Sequence, residues 1–225
     1  MPSHSLSVLA SLAPAVPSTL AQLAEGWDPA APPSHPRAAA SVVLCRDGDG
    51  GVETYLLHRH ARMAFAASVA VFPGGGLEPV DASAPDPLLA SGLRETHEET
   101  GVRLAAADVV RWAHWITPVV QPLRYDTHFF LAALPPGQTA EDLSTETEGA
   151  GWTSPADALT AYGAGELALM PPTLSILTEL ADLPSVTAAL EVGRDRVVET
   201  ALPEVVRDGA GWVYRYPGPR AEARR

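Results

Sequence analysis

An α/β fold of the α+β kind is the fold class that this sequence predicts. Three observations lead there. Short apolar runs bounded by turn residues recur along the chain, two helix starts carry a cap followed by proline, and strands and helices interleave without an internal repeat or a second domain. Residues 1–37 are rich in Ala, Pro and Ser and read as a flexible or partly helical arm, with a short helix over Thr19–Ala24. The folded domain is expected over residues 38–195. Ala40–Cys45 is its first strand, Asp47-Gly48-Asp49-Gly50-Gly51 is turn chemistry, and Val52–His58 returns as the second strand of a hairpin. Val69–Phe72 is a short buried-type strand, stopped by Pro73 and the glycines Gly74–Gly76.

Asp86 and Pro87 then supply an N-cap and a first helical residue, and the helix runs to Thr100 with Gly101 at the C′ position. Arg111–Thr117 and Tyr125–Leu134 are two further strands, the second without clean alternation, as a strand buried on both faces would be. Gly151–Thr153 is another short strand. Ser154-Pro155 opens a helix to about Tyr162, and a further helix runs from Pro171-Pro172 to Leu183. Residues 196–225 form a C-terminal hairpin and tail, with strands at Glu204–Arg207 and Trp212–Tyr216 around Asp208-Gly209-Ala210-Gly211.

Composition narrows the function. Of 225 residues, 46% are hydrophobic and 19% charged, which is the composition of a globular protein with a real core. The net charge is −12, with 27 acidic residues against 15 basic ones, and no basic cluster tracks along the chain, so nucleic-acid binding is disfavoured. Cys45 is the only cysteine, which excludes an intramolecular disulfide and suits a reducing, cytoplasmic compartment. The apolar stretch Ser7–Val16 has no Lys or Arg before it and contains a proline, a poor match to a secretory signal, and no apolar run is long enough to span a membrane.

The informative stretch is Phe72-Pro73-Gly74-Gly75-Gly76-Leu77-Glu78 followed by Arg94-Glu95-Thr96-His97-Glu98-Glu99-Thr100-Gly101-Val102. On a helix, Glu95, Glu98 and Glu99 stand at i, i+3 and i+4 and share one face, while Leu89, Leu93 and Thr96 form another stripe. Glu98 and Glu99 occupy the last turn, where the helix dipole disfavours each carboxylate by roughly 0.3–1 kcal/mol. A helix built only for stability would carry lysine there. A hard divalent cation, which takes carboxylate oxygens, would relieve the cluster. It would also reconcile an acidic protein with an anionic substrate. The plain alternative is a solvated acidic face. The glycines weigh against it, because a backbone without Cβ atoms can approach a ligand closely and lend it a carbonyl.

These residues resemble the Nudix box, G-x5-E-x7-R-E-U-x-E-E-x-G-U with U a bulky apolar residue. Residues 94–102 match its second half, with Thr96 at the first U, and Gly75 falls on the box glycine. Asp81 stands where the box has Glu, and twelve residues, 82–93, separate it from Arg94 where the box has seven. Beyond the box, His114-Trp115-Ile116-Thr117-Pro118, Arg124-Tyr125-Asp126-Thr127 and Trp152-Thr153-Ser154-Pro155 are similar to the acyl-CoA diphosphatase branch. The signature that accompanies CoA upstream of the box is mostly unmet: Arg59 fits, but Ala64 and Ser68 replace the expected Arg and Gly.

The resemblance implies an αβα sandwich with a mixed sheet. It implies Mg²⁺ or Mn²⁺ held by Glu95, Glu98 and Glu99 with the carbonyl of Gly75 or a neighbour, and Arg94 steadying the cluster through an ion pair, with Asp81 as the candidate partner. The implied activity is metal-assisted hydrolysis of a small-molecule nucleoside diphosphate derivative. CoA or acyl-CoA leads as substrate, with ADP-ribose, NADH, nucleotide sugars and dinucleoside polyphosphates open. A nucleotide-sensing module without turnover is the competing reading. Glu98 and the loop residue Glu146 are candidate catalytic bases, with Glu148 the rival of Glu146. Arg59, Arg62 and Arg124 are candidate substrate contacts, each against a merely structural role. His58 and His60 alternate on one strand face. His97 points away from the glutamates toward solvent, and Trp112, Trp115 and Trp152 belong to the core or stack a base. A homodimer is the candidate oligomer.

Overall fold

β1 (Arg37–Gly48) is the strand on which the computed structural model is organised; the structure describes residues 16–60, 69–209 and 211–216. It is preceded by α1 (Ser18–Glu25) and followed by β2 (Gly51–Arg59), β3 (Ala70–Val71), β4 (Gly74–Gly76), α2 (Pro87–Thr100), β5 (Val109–Ile116), β6 (Tyr125–Ala133) and β7 (Thr147–Thr153). The chain continues through α3 (Pro155–Gly163), α4 (Pro171–Ala181), α5 (Val186–Arg194), β8 (Thr200–Ala201) and the hairpin β9 (Glu204–Asp208) and β10 (Gly211–Arg215). Eight strands form one mixed sheet in the order β3-β2-β1-β6-β5-β8, with β4 on β1 and β7 on β2. β1 runs parallel to β6 and β5 parallel to β8; the other pairs are antiparallel.

The sheet is covered on both sides, which makes the expected αβα sandwich. Ala40, Val42, Phe130 and Ala132 face α2, where Leu88 and Leu89 pack on them. Gly92 lets the helix settle: a Cβ there would sit 3.3 Å from Val42 Cγ2. The opposite face buries Val43, Cys45, Phe129 and Leu131 against Leu174, Leu177 and Leu180 of α4 and Val186 and Ala189 of α5. Each Val, Leu or Phe among them contributes about 1.5–3 kcal/mol on burial. Trp112 lies at a register shift in β5 and is 1% exposed in this second core. Trp115 joins it. Trp152 instead makes an edge contact with Tyr55 and lies under the Arg46 guanidinium.

α2 has the termini its sequence prescribes. Asp86 accepts the Leu89 N–H at 3.1 Å, Pro87 opens the first turn, and Gly101 closes the helix at φ 75°. The glycines 74–76, expected only to stop a strand, form a strand of their own against Ala39–Ser41 of β1. α5 and β8 are further additions. Residue Arg62 and most of the Ser7–Val16 stretch lie outside the described residues. α1 packs through Leu20 and Ala24 on Val120 and the hairpin residues Val205, Trp212 and Tyr214. Among the described residues, no helix is long and apolar enough to cross a membrane.

Candidate active site

A cavity of about 640 Å³ opens on the face of the sheet opposite α2. Its polar end is built by β4 and the glutamates of α2; its apolar walls come from Phe72, Trp115, Phe129, Met170 and Tyr214. Glu95, Glu98 and Glu99 all line it, together with Gly74–Gly76, Arg59 and Glu146. The helical spacing of the three glutamates is what brings them to one edge.

Arg94 organises that edge. Its Nε and Nη2 donate to Asp81 Oδ1 and Oδ2 at 3.2 and 3.1 Å, and its Nη1 donates to Glu95 Oε1 at 2.9 Å and Glu98 Oε2 at 3.0 Å. Nη2 also reaches the Gly76 carbonyl at 3.3 Å. Asp81 is only 4% exposed and takes a second donor, the Glu78 N–H, at 2.9 Å. The hydrogen bonds from Arg94 hold its carboxyl below the usual range. The long interval between Asp81 and Arg94 is taken up by a 3₁₀ turn over Asp81–Ser83 and the start of α2, which fold Asp81 back onto the arginine.

Glu99 accepts the Gly74 N–H at 2.9 Å. Burial pushes its carboxyl up to about 7, against the lowering by that N–H. Burial likewise raises Glu95, opposed by Arg94. The Glu98 side chain is 55% exposed and leans on Arg94. Two desolvated carboxylates therefore stand at the mouth of a glycine strand. At Gly75 any Cβ would run into the Glu95 carboxylate, so the backbone and the acid approach as closely as only glycine permits. Hard oxygen donors crowded and desolvated in this way fit a small divalent cation such as Mg²⁺ or Mn²⁺.

The remaining sequence candidates separate. Arg59 Nη2 donates to Glu146 Oε2 at 3.2 Å, and its buried Nε has no hydrogen-bond partner among the described residues. Glu146 lines the cavity, whereas Glu148 pairs with His60 at 3.0 Å and is not among the lining residues. Arg124 does not reach the cavity: it is 5% exposed and donates to the Thr117 and Ser34 carbonyls, which makes it a strut between loops. His97 is not turned to solvent but is half-buried, with Nδ1 3.1 Å from the Gly101 carbonyl at the helix end. The expected alternation of His58 and His60 is broken by a register shift at His58/Arg59. Leu20, Pro203 and Tyr214 line the cavity without any signal in the sequence, since the hairpin and α1 reach it only through tertiary packing. The Gly74 N–H was equally hidden; the extra glycine before Gly75 was its only trace.

The sequence profile of the NUDIX domain matches residues 35–171. The Caenorhabditis elegans protein carrying the name nudix hydrolase 7 is 25% identical over 182 residues, 65% of this chain and 61% of that protein. The acyl-coenzyme A diphosphatase NUDT19 of Gallus gallus is 30% identical over 116 residues, 48% of this chain and 30% of that protein. The chain thus spans less than two thirds of either relative. The crystal structure of a NUDIX hydrolase from Alicyclobacillus acidocaldarius superimposes with a TM-score of 0.64 at 28% identity, over 70% of this chain and 96% of that one.

Proposed function

The chain belongs to the NUDIX family, and from that premise we propose that it hydrolyses the diphosphate linkage of a nucleoside diphosphate derivative. The observation that carries the reading is the pair of desolvated carboxylates, Glu95 and Glu99, beside the glycine strand at the polar end of a large cavity. A divalent cation held by Glu95, Glu98 and Glu99 would neutralise phosphate charge and lower the pKa of a bound water. The protein's own groups do the rest. Arg94, anchored by Asp81, fixes the directions of Glu95 and Glu98. Arg59 offers a buried nitrogen to a phosphate oxygen, a charge-assisted contact of the strong kind. Glu98 and Glu146, which both line the cavity, are our candidates to take a proton from the attacking water. The apolar walls seat the non-reacting part of the substrate and keep water away from the diphosphate.

Within this chemistry, CoA or acyl-CoA is the substrate we favour. The support is the partial similarity to a protein named as an acyl-coenzyme A diphosphatase, together with apolar cavity walls that suit an acyl or pantetheine chain. The test is a panel of CoA, acyl-CoA, ADP-ribose, NADH and nucleotide sugars, assayed with Mg²⁺, with Mn²⁺ and with chelator. Metal-dependent release of a nucleoside monophosphate or a bisphosphate product is expected. Saturable binding without turnover for every member would overturn the hydrolase reading in favour of a sensor. Turnover of ADP-ribose or a nucleotide sugar alone would keep the reaction and replace the substrate.

A further inference from the structure

A second constellation lies on the other face of the sheet. Trp115, Thr117, Tyr125, Thr127 and Phe129 point into the cavity, so their strand neighbours His114, Asp126 and His128 point away from it. His114 and His128 are cross-strand partners on β5 and β6, and their rings stack at 4.0 Å with planes 15° apart. Asp126 Oδ1 stands 2.5 Å from His114 Nε2 and 3.9 Å from His128 Nε2. One nitrogen or oxygen from each residue falls within 4.8 Å of the others, and all three residues are half-buried. They come from two adjacent strands of a rigid sheet and not from a mobile loop.

Two imidazoles and one carboxylate are a borderline nitrogen–oxygen donor set, the kind that selects Zn²⁺ and its first-row neighbours over Mg²⁺. Around a zinc ion with Zn–N distances of 2.0–2.1 Å, the donors stand about 3.3 Å apart. To reach that spacing the His114–Asp126 pair must open from 2.5 Å, the His128–Asp126 pair must close from 3.9 Å, and the parallel rings must turn so that their lone pairs converge, shifts of about 1 Å or less between donors. The support for His114 is already in place. Its Nδ1 lies 2.8 Å from Thr200 Oγ1 on β8. A hydroxyl can accept as readily as it donates, so the ring proton can sit on Nδ1 and leave the Nε2 lone pair for a metal. Arg111 and Asp86, which also face His128, pair with each other at 2.6 Å and leave Asp126 as the unbalanced charge beside it.

We propose that His114, Asp126 and His128 bind a first-row divalent cation, Zn²⁺ foremost, with Thr200 as a positioning residue and water completing the shell. This site is separate from the glutamates of α2 and does not depend on the proposed hydrolysis. An ion there would tie β5 to β6 and, through Thr200, to the short strand β8.

The experiment is a Zn²⁺ titration of the metal-free full chain by calorimetry in millimolar Mg²⁺, which occupies oxygen sites without competing for imidazoles. A parallel titration with Co²⁺ is read from its visible absorption. One Zn²⁺ per chain is expected, with affinity falling about 100-fold in His128→Gln and in Asp126→Asn, and about 10-fold in Thr200→Val. Circular dichroism verifies that each variant is folded; if His128→Gln is not, Asp126→Asn and Thr200→Val still decide the matter. No Zn²⁺ uptake by the folded wild-type chain, or equal affinity in the wild type and the folded variants, would overturn the assignment.

Discussion

Arg94 grips the buried carboxylate of Asp81 through two nitrogens, Nε at 3.2 Å and Nη2 at 3.1 Å, and spends its third on Glu95 and Glu98. Asp81→Asn should therefore destabilise the fold by about 2 kcal/mol, the scale of a hydrogen bond to a charged group. The folded pKa of Asp81 is depressed, so the pair's contribution is present above the unfolded carboxylate value of about 3.9. It is lost as pH falls through the lower folded value. Urea denaturation of both proteins should give a gap that is full at neutral pH and closes in acid. A gap independent of pH would show that the loss comes from packing and not from the charge.

Glu99→Gln should separate stability from activity. The carboxylate is half-buried and its pKa is pushed up to about 7, so an uncharged amide, which can still accept the Gly74 N–H, should leave the Tm of the apo protein equal or higher. Turnover should fall by on the order of 100- to 1000-fold, the scale of losing one preorganised electrostatic group. Glu98→Gln, at an exposed position, should match the loss of turnover without the change in Tm. Wild-type turnover in either variant would dissociate these acids from the chemistry.

Arg59→Ala should act on the substrate and not on the fold. Its bond to the half-exposed Glu146 contributes little to stability. A lost charge-assisted contact of about 1.5–3 kcal/mol corresponds to a 10- to 100-fold drop in kcat/KM. An unchanged kcat/KM would return Arg59 to a structural role.

Gly74→Ala and Gly75→Ala, neighbours in one strand, should fail differently. At Gly74 φ is 157°, and a Cβ would strike the Ala40 carbonyl, so a loss of more than about 1 kcal/mol in stability is expected. At Gly75 the obstacle is the end of the Glu95 side chain, which can swing aside. That variant should fold normally and bind Mg²⁺ about 10-fold more weakly, on the scale of a disturbed ligand set. Thermal melts with and without Mg²⁺ compare the two directly.

The parts of the fold written in local chemistry were legible. α2 could be bounded to the residue because Asp86, Pro87 and Gly101 each have one strong backbone preference, and the i, i+3, i+4 glutamates follow from helical geometry. What depended on distant partners was not. α5 carries Gly193 in its last turn, a poor helix former; it sits there because any side chain would strike Val110 of β5. The glycines of β4 are weak strand formers and pair only because β1 lies beside them. Arg124 stood as a candidate substrate contact against a structural role, and the sequence could not decide, because an arginine's type says nothing of its partner and one of its acceptors, Ser34, is 90 positions away. His114 and His128 passed unnoticed for the same reason: their adjacency is a property of strand register, not of spacing along the chain.

Leu20, Pro203 and Tyr214 all line the cavity, yet all three fall outside residues 35–171. The glutamate edge and the far wall are thus carried by different stretches of polypeptide. Substitutions in α1 or the β9–β10 hairpin can reshape what the protein admits while the glutamates remain untouched. Under the proposed reaction, preference for one substrate over another is free to drift in this architecture while the glutamate edge stays as it is.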